Sequence, residues 1–272
     1  MRSLVLPLMT LGLWASAWGA PGPGGHLLVA LGDPTVSPHL ASVDPRFGEV
    51  VPLNNAQVLM PRADASGHLV LYTGLSNRTH VVSMVSMDHP SLDATVLQGK
   101  TDDFAVCWLG NRSFLAVDGA DLCQVGMNGS IERRITRAPS APLRADVTRD
   151  GKAIYLQDGN SIAHLDLKTG KSQKLFSGAW PRLSHDGHRL VFLDGARLMA
   201  CTLPQGTPRP LANLNTALQA TSPAFSPDDA FVAWIAAMPD GSAASIQIVT
   251  RTGKFVKALP LLAPAGSLDW TR

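Results

Sequence analysis

Cysteine, aromatic side chains and charge are all scarce in this 272-residue chain. Three cysteines are too few to staple a disulfide miniprotein, and an odd number leaves at least one unpaired within the chain. Aromatic residues make up 6%, with only two tyrosines, so the stacking faces that single-stranded nucleic acid needs are missing. Charged residues make up 16%, and 23 Lys plus Arg against 21 Asp plus Glu leaves +2, too little to draw in a polyanion. That composition also excludes coiled coils and collagen. Apolar runs long enough for a comfortable membrane helix, about 20 residues, are absent as well. So are an H-E-x-x-H pair, a calcium loop with its downstream Glu, and a G-x-S-x-G elbow followed by Asp and His. Turn formers are plentiful: 24 Gly and 20 Pro point to many short elements rather than long helices.

The first twenty residues, MRSLVLPLMTLGLWASAWGA, have the three-part layout of a secretory leader. Arg2 precedes an apolar run from Leu4 to Trp14, and the small residues Ala15, Ser16, Ala17, Gly19 and Ala20 follow. Cleavage after Ala17 or after Gly19 fits a small-x-small rule. An uncleaved anchor is the competing assignment, opposed by the shortness of the apolar run. No cysteine follows that run, which excludes the bacterial lipoprotein route. The expected organisation is a signal peptide over 1–20 and one domain over 21–272, exported to the periplasm or secreted, with no membrane span once the leader is removed.

The remainder repeats itself. GHLLVAL (25–31), GHLVLYT (67–73), GKAIYLQ (151–157) and GHRLVFL (187–193) share a Gly, a polar residue and a β-rich apolar stretch. NRSFLAV (111–117) and DAFVAWI (229–235) keep the phase with Asn111 and Asp229, residues that tolerate left-handed backbone. The anchors at 25, 67, 111, 151, 187 and 229 are spaced by 42, 44, 40, 36 and 42 residues. A second turn signal follows, at Gly32, Gly74, Asp118-Gly119, Asp158-Gly159, Asp194-Gly195 and, later in its unit, Asp240-Gly241. A third recurs at Gly48, Asn128-Gly129, Lys168-Thr169-Gly170, Gln205-Gly206 and Thr252-Gly253.

Three turns per unit separate four strands, and a four-stranded unit every ~40 residues is the pattern of a propeller blade. LRADVTRD (143–150), WPRLSHD (180–186) and SPAFSPD (222–228) supply innermost strands before their anchors. Gly25 has none, whereas SLDWTR (267–272) is an innermost strand with nothing after it. The expected fold is therefore all-β: a six-bladed β-propeller with four antiparallel strands per blade, closed by the C-terminal strand completing blade 1. A β-sandwich would not restart one phase six times, and a parallel β-helix would repeat at a shorter interval.

AFSPDDAFVAW (224–234), RLSHDGHRLVF (182–192) and, more loosely, TRDGKAIYL (148–156) resemble the Ser-Pro-Asp-Gly repeats of the TolB-like propellers. The resemblance runs from about residue 25 to the C-terminus and is strongest in the last three units. It implies a six-bladed fold; TolB itself is a periplasmic component of the Tol–Pal envelope system, with an α/β domain ahead of its propeller. The span between the leader and Gly25 has no room for such a domain. Because these repeat motifs make turns, the resemblance assigns no functional residue.

Candidate chemistry is thin. Ser184-His185-Asp186 has the residue types of a hydrolase triad, but neighbours on an extended chain point to opposite faces, and the segment sits at a repeat turn. Asp102-Asp103 and Asp228-Asp229 lie in loops without calcium-loop spacing. His26, His68 and His188 occupy equivalent positions in three blades, spread around the ring. Cys107 and Cys123 fall on the first and third strands of one blade, about 9–10 Å apart at the usual strand spacing, too far for a disulfide. With Cys201 they are expected to be buried thiols. Arg133, Arg134, Arg137, Arg144 and Arg149 form a basic run, expected on a solvated outer strand. Trp108, Trp180, Trp234 and Trp270 are expected to pack between blades. Asn77, Asn111 and Asn128 head glycosylation-type triplets that coincide with turns.

No catalytic, cofactor-binding or metal-binding residue is assigned, and no cofactor is expected. The expected role is that of an exported, non-catalytic, monomeric propeller. It would serve as a protein–protein interaction or scaffold module of the envelope, meeting an envelope protein or cell-wall component and not nucleic acid. The alternative is an enzyme or small-ligand or metal binder of lactonase-like or lyase-like type, with its site at the channel mouth. An enclosed cluster of Asp, Glu and His there would favour the enzyme, and an apolar or mixed rim would favour the partner.

Overall fold

Stretches such as Leu27–Leu31, Phe114–Val117 and Leu190–Phe192 are apolar at successive positions rather than alternating, so they need cover on both faces. The computed structural model, which describes residues 22–32, 38–54, 56–99, 102–140, 143–204 and 206–272, supplies that cover by standing six sheets side by side in a ring. The segment 1–20, expected to be a leader, and Gln205 lie outside the described residues. Within them, each sheet has four antiparallel strands, and no helix is long and apolar enough to cross a membrane.

The inner strands are Ala265–Thr271, Leu59–Ala63, Asp103–Leu109, Ala145–Val147, Ala179–Leu183 and Gln219–Phe225, for blades 1 to 6. Consecutive inner strands touch all the way round, closing the ring. Second strands are almost wholly buried, whereas outer strands such as Ile131–Arg137 and Ser172–Ser177 are mostly exposed. Inner strands such as Ala145–Val147 and Ala179–Leu183 are only partly buried, so burial peaks at the second strands. One hydrophobic cluster fills each of the six blade interfaces.

Blade 1 is built from both ends of the chain. Inner strand Ala265–Thr271 pairs antiparallel with His26–Leu31, setting Trp270 opposite Leu27 and Asp269 opposite Leu28. The interface between blades 6 and 1 holds Leu27, Val29, Ile246, Ile248, Leu268 and Trp270 in one continuous core.

Two turn assignments are corrected. Gly74 is not a turn: Leu69–Ser76 runs straight through it, and the hairpin reverses at Asn77 (φ 50°) and Arg78 (φ 66°). Two successive left-handed residues make the tight reversal that matches strand twist, and Asn enters that conformation readily. In blade 3 the first turn is short, spanning 110–112, and its left-handed residue is Gly110 (φ 69°) rather than Asn111. The other anchors behave as expected, Asp229 included at φ 56°. The three cysteines are buried and free.

Three inner strands share a further device. Met60-Pro61, Trp180-Pro181 and Ser222-Pro223 each begin with a left-handed residue, at φ 53°, 56° and 51°. Each marks a bulge with one extra residue on the inner strand, between Leu59 and Arg62, Ala179 and Arg182, and Thr221 and Ala224. Left-handed backbone on Met or Trp is costly and persists only where surroundings enforce it. Here a neighbouring blade does so, the preceding one for Met60 and Trp180 and the following one for Ser222. Ser267 Oγ accepts from Met60 N at 3.0 Å, Gln157 Oε1 accepts from Trp180 N at 3.2 Å, and Ser222 Oγ bonds both Leu268 O and Leu268 N.

Candidate channel-mouth site

The bulges determine what enters the channel. Two residues beyond the left-handed position, Arg62 and Arg182 turn inward, and with Cys107, Asp146 and Asp269 they line a cavity of about 750 Å³ at one mouth of the ring. Its rim is made by the turns joining inner to second strands in blades 2 to 5, together with Thr271 and Arg272.

The charged groups follow an approximate twofold pattern. Asp269 of blade 1 accepts the Ala63 N–H of blade 2 at 2.8 Å, and Asp146 of blade 4 accepts the Leu183 N–H of blade 5 at 2.9 Å. In each case the amide follows a channel arginine. The side-chain pairing breaks the pattern. Arg182 reaches across to donate from Nη2 to Asp269 Oδ1, and its Nε lies 3.4 Å from Asp146 Oδ2. Among the described residues Arg62 meets only carbonyls: Nε donates to Val106 O at 3.2 Å and Nη1 lies 3.5 Å from Pro61 O.

These contacts set the proton affinities. Burial and the like charge of Arg182 pull the Arg62 guanidinium down to about 10. Burial works against the Arg182 cation too, but Asp269 and Asp146 outweigh it and raise its pKa. Burial, reinforced by Asp146, pushes the Cys107 thiol well up, so it stays protonated and unreactive.

Ser184, His185 and Asp186 form no triad. Ser184 Oγ donates to Asp186 Oδ1 at 2.6 Å and accepts from Arg189 N at 2.9 Å, closing the turn. Ser226 repeats this with Asp228 and Phe231, and Thr148 with Asp150 and Ala153. His185 turns instead to the neighbouring blade, its Nδ1 3.1 Å from Asp229 Oδ1, while Asp229 also accepts the N–H groups of His185 and Asp186 at 2.8 and 2.9 Å. The Asp229 bond raises the His185 pKa. Burial alone would raise the Asp229 pKa, but His185 and the two amides hold it below the usual carboxylate value.

The other candidates are dispersed. His26 pairs with Ser42 and His68 with Asp88, and among the described residues no three His, Cys, Asp or Glu groups converge as metal ligands. Arg133, Arg134 and Arg137 lie on an outer strand, where Arg134 bridges Asp118 and Asp121. Arg144 stacks over Trp180, 4.0 Å from the ring centre. Trp108 Nε1 donates to the Arg62 carbonyl of the preceding blade at 2.8 Å. Sequence reasoning missed Arg62, Asp146, Arg182 and Asp269. The available signal was the recurrence of Pro-Arg at one strand position, in Met60-Pro61-Arg62 and Trp180-Pro181-Arg182.

Fold and site together define a six-bladed β-propeller whose one mouth is crossed by a buried Arg–Asp cluster. No family model and no curated protein sequence matches the chain. Among solved structures it is similar to TolB from Acinetobacter baumannii, with a TM-score of 0.72, 18% identity, and coverage of 92% of this chain and 68% of that one. A protein from Agrobacterium tumefaciens described as a TolB gives 0.67 at 14% identity, covering 93% of this chain and 95% of the other. The periplasmic gluconolactonase of Pseudomonas aeruginosa gives 0.58 at 14% identity, covering 86% and 82%. The fold is thus that of the TolB-like propellers.

Proposed function

We propose that this chain is an exported, monomeric, non-catalytic propeller, a single domain over 21–272 that acts as an interaction or scaffold module of the cell envelope. One observation carries the non-catalytic part: the carboxylates at the mouth are already committed. Asp146 and Asp269 hold Arg182 and an amide of the next blade, Asp64 and Asp150 accept from their own turns, and Asp186 and Asp229 hold the turn behind them. A general base or metal ligand needs a carboxylate free to meet substrate, whereas these tie blades together. The rim of short turns remains as the surface offered to an envelope protein or cell-wall component. Similarity to TolB over 92% of the chain supports a platform role, and the leader-like segment supports export.

Two measurements test the proposal. Intact-mass analysis of the exported protein is expected to give a start near residue 18–21, and retention of Met1 would overturn export. Photo-crosslinking groups at the exposed rim residues Ala65 and Arg149, used in the producing cells, are expected to trap one discrete partner. Turnover of aldonolactones or oligouronides by the purified propeller would instead overturn the non-catalytic assignment.

A small-ligand site at the same mouth is the second reading, favoured by the cavity beneath the rim.

A further inference from the structure

The channel cluster is electrically balanced but rich in hydrogen-bond donors. Two guanidiniums face two carboxylates, and the carboxylate oxygens are largely engaged by amides and Arg182. The arginines are not satisfied in return. Among the described residues, Arg182 Nη1 is buried without a partner, and its Nε makes an ion-pair contact at 3.4 Å but no hydrogen bond. Arg62, only 4% exposed, pairs with no carboxylate among the described residues and has two carbonyls for five N–H donors. Buried polar groups in folded proteins are almost always partnered, and exceptions mark a missing ligand or water.

The shape of the site narrows the partner. A cavity of about 750 Å³ is lined by Arg62 and Arg182, with Trp108 and Trp270 also in its wall. That is the size range of small-molecule pockets, roughly 300–1,000 Å³. A guanidinium fork matches a planar or tetrahedral oxyanion. Asp146 and Asp269 stand beside the arginines, so a doubly charged anion would meet two like charges. We propose that the channel mouth binds a small, singly charged carboxylate between Arg62 and the unpartnered face of Arg182. This goes beyond the envelope-module reading and stands independently of export and of any protein partner.

The test uses the purified protein with acetate and inorganic phosphate as probes, at ionic strength matched with chloride. Acetate is expected to raise the unfolding temperature saturably, and Arg62→Met to weaken that response about tenfold or more. Acetate acting no better than chloride, or equally well on Arg62→Met, would overturn the proposal. Phosphate acting more strongly than acetate would overturn the preference for one charge. Should Arg62→Met not fold, crystals of the unmodified protein soaked in 4-bromobenzoate decide the matter. Anomalous bromine signal in the cavity, with the carboxylate on Arg62, supports the site, and its absence there refutes it.

Discussion

Arg182 of blade 5 donates across the channel to Asp269 of blade 1, while its Nε lies beside Asp146 of blade 4. One cation thereby serves two carboxylates from two other blades, both largely shielded from solvent. Removing it would strip both largely buried carboxylates of their ion-pair partner. Arg182→Met is expected to destabilise the ring by about 3–5 kcal/mol, the usual cost of stripping one partner from a buried pair. Adding Asp269→Asn is expected to recover part of that loss, because the orphaned charge disappears. Denaturant melts followed by tryptophan fluorescence measure both, and strictly additive effects would contradict the coupling.

Ring closure rests on Ala265–Thr271 entering the sheet begun at His26. Truncation after Pro264 is expected to destabilise the whole ring, because blade 1 loses its inner strand and the blade 6–1 core loses Leu268 and Trp270. Trp270→Ala alone is expected to cost about 3–5 kcal/mol, since the indole is buried and its Nε1 donates to Gly24 O at 2.9 Å. Unchanged thermal unfolding of the truncated chain would show that closure contributes nothing.

The His185–Asp229 pair makes a pH-dependent contribution of determinate sign. A folded-state pKa raised above 6.5 means that the His185 share is complete below 6.5 and fades as pH climbs through the raised value. A folded-state pKa lowered below 3.8 means that the Asp229 share is complete above 3.8 and fades as pH drops through the lowered value. The pair therefore counts most between about pH 4 and 6.5. Because the imidazole is nearly half exposed, screening limits its worth to under about 1 kcal/mol. Asp229→Asn is expected to cost more stability at pH 5.5 than at pH 9. An equal loss at both would mean that only the amide-accepting role matters.

Asp103 is fully buried at the start of its strand, opposite Asp118, and accepts the Gly99 N–H. Burial and the nearby Asp118 charge raise its pKa. The sign is now reversed: the folded state holds the proton more tightly, so stability falls as pH rises from the unfolded carboxyl value through the raised one. Asparagine mimics the protonated acid and can donate to Asp118. Asp103→Asn is expected to stabilise the protein by about 1 kcal/mol at neutral pH and to flatten its pH profile. Calorimetry at pH 4 and pH 8 checks it, and destabilisation at pH 8 would refute the charge-burial account.

The propeller was legible because each second strand is covered on both faces and must be written as a continuous apolar run, as in Leu27–Leu31 and Phe114–Val117. Closure was legible as a strand missing before Gly25 and a spare one after Ala265. Gly74 misled because a glycine inside a strand and a glycine at a turn look alike in one dimension. At Gly74 an added Cβ would lie 3.3 Å from Ser83 Oγ, so close packing is an alternative reason for the residue. The channel cluster stayed hidden for a topological reason. Arg62, Asp146, Arg182 and Asp269 come from four blades, and only the closed ring brings them together, so no local motif encodes their meeting.

The joint in blade 1 also orders events in time. Gly24 and Trp270 are 246 positions apart, so the sheet begun at His26 waits for its axial strand until the other five blades have been made. Until then Leu27 and Val29 lack the neighbours that bury them. Closure of the ring is therefore a late event, held back until the strand at Ala265–Thr271 has been made.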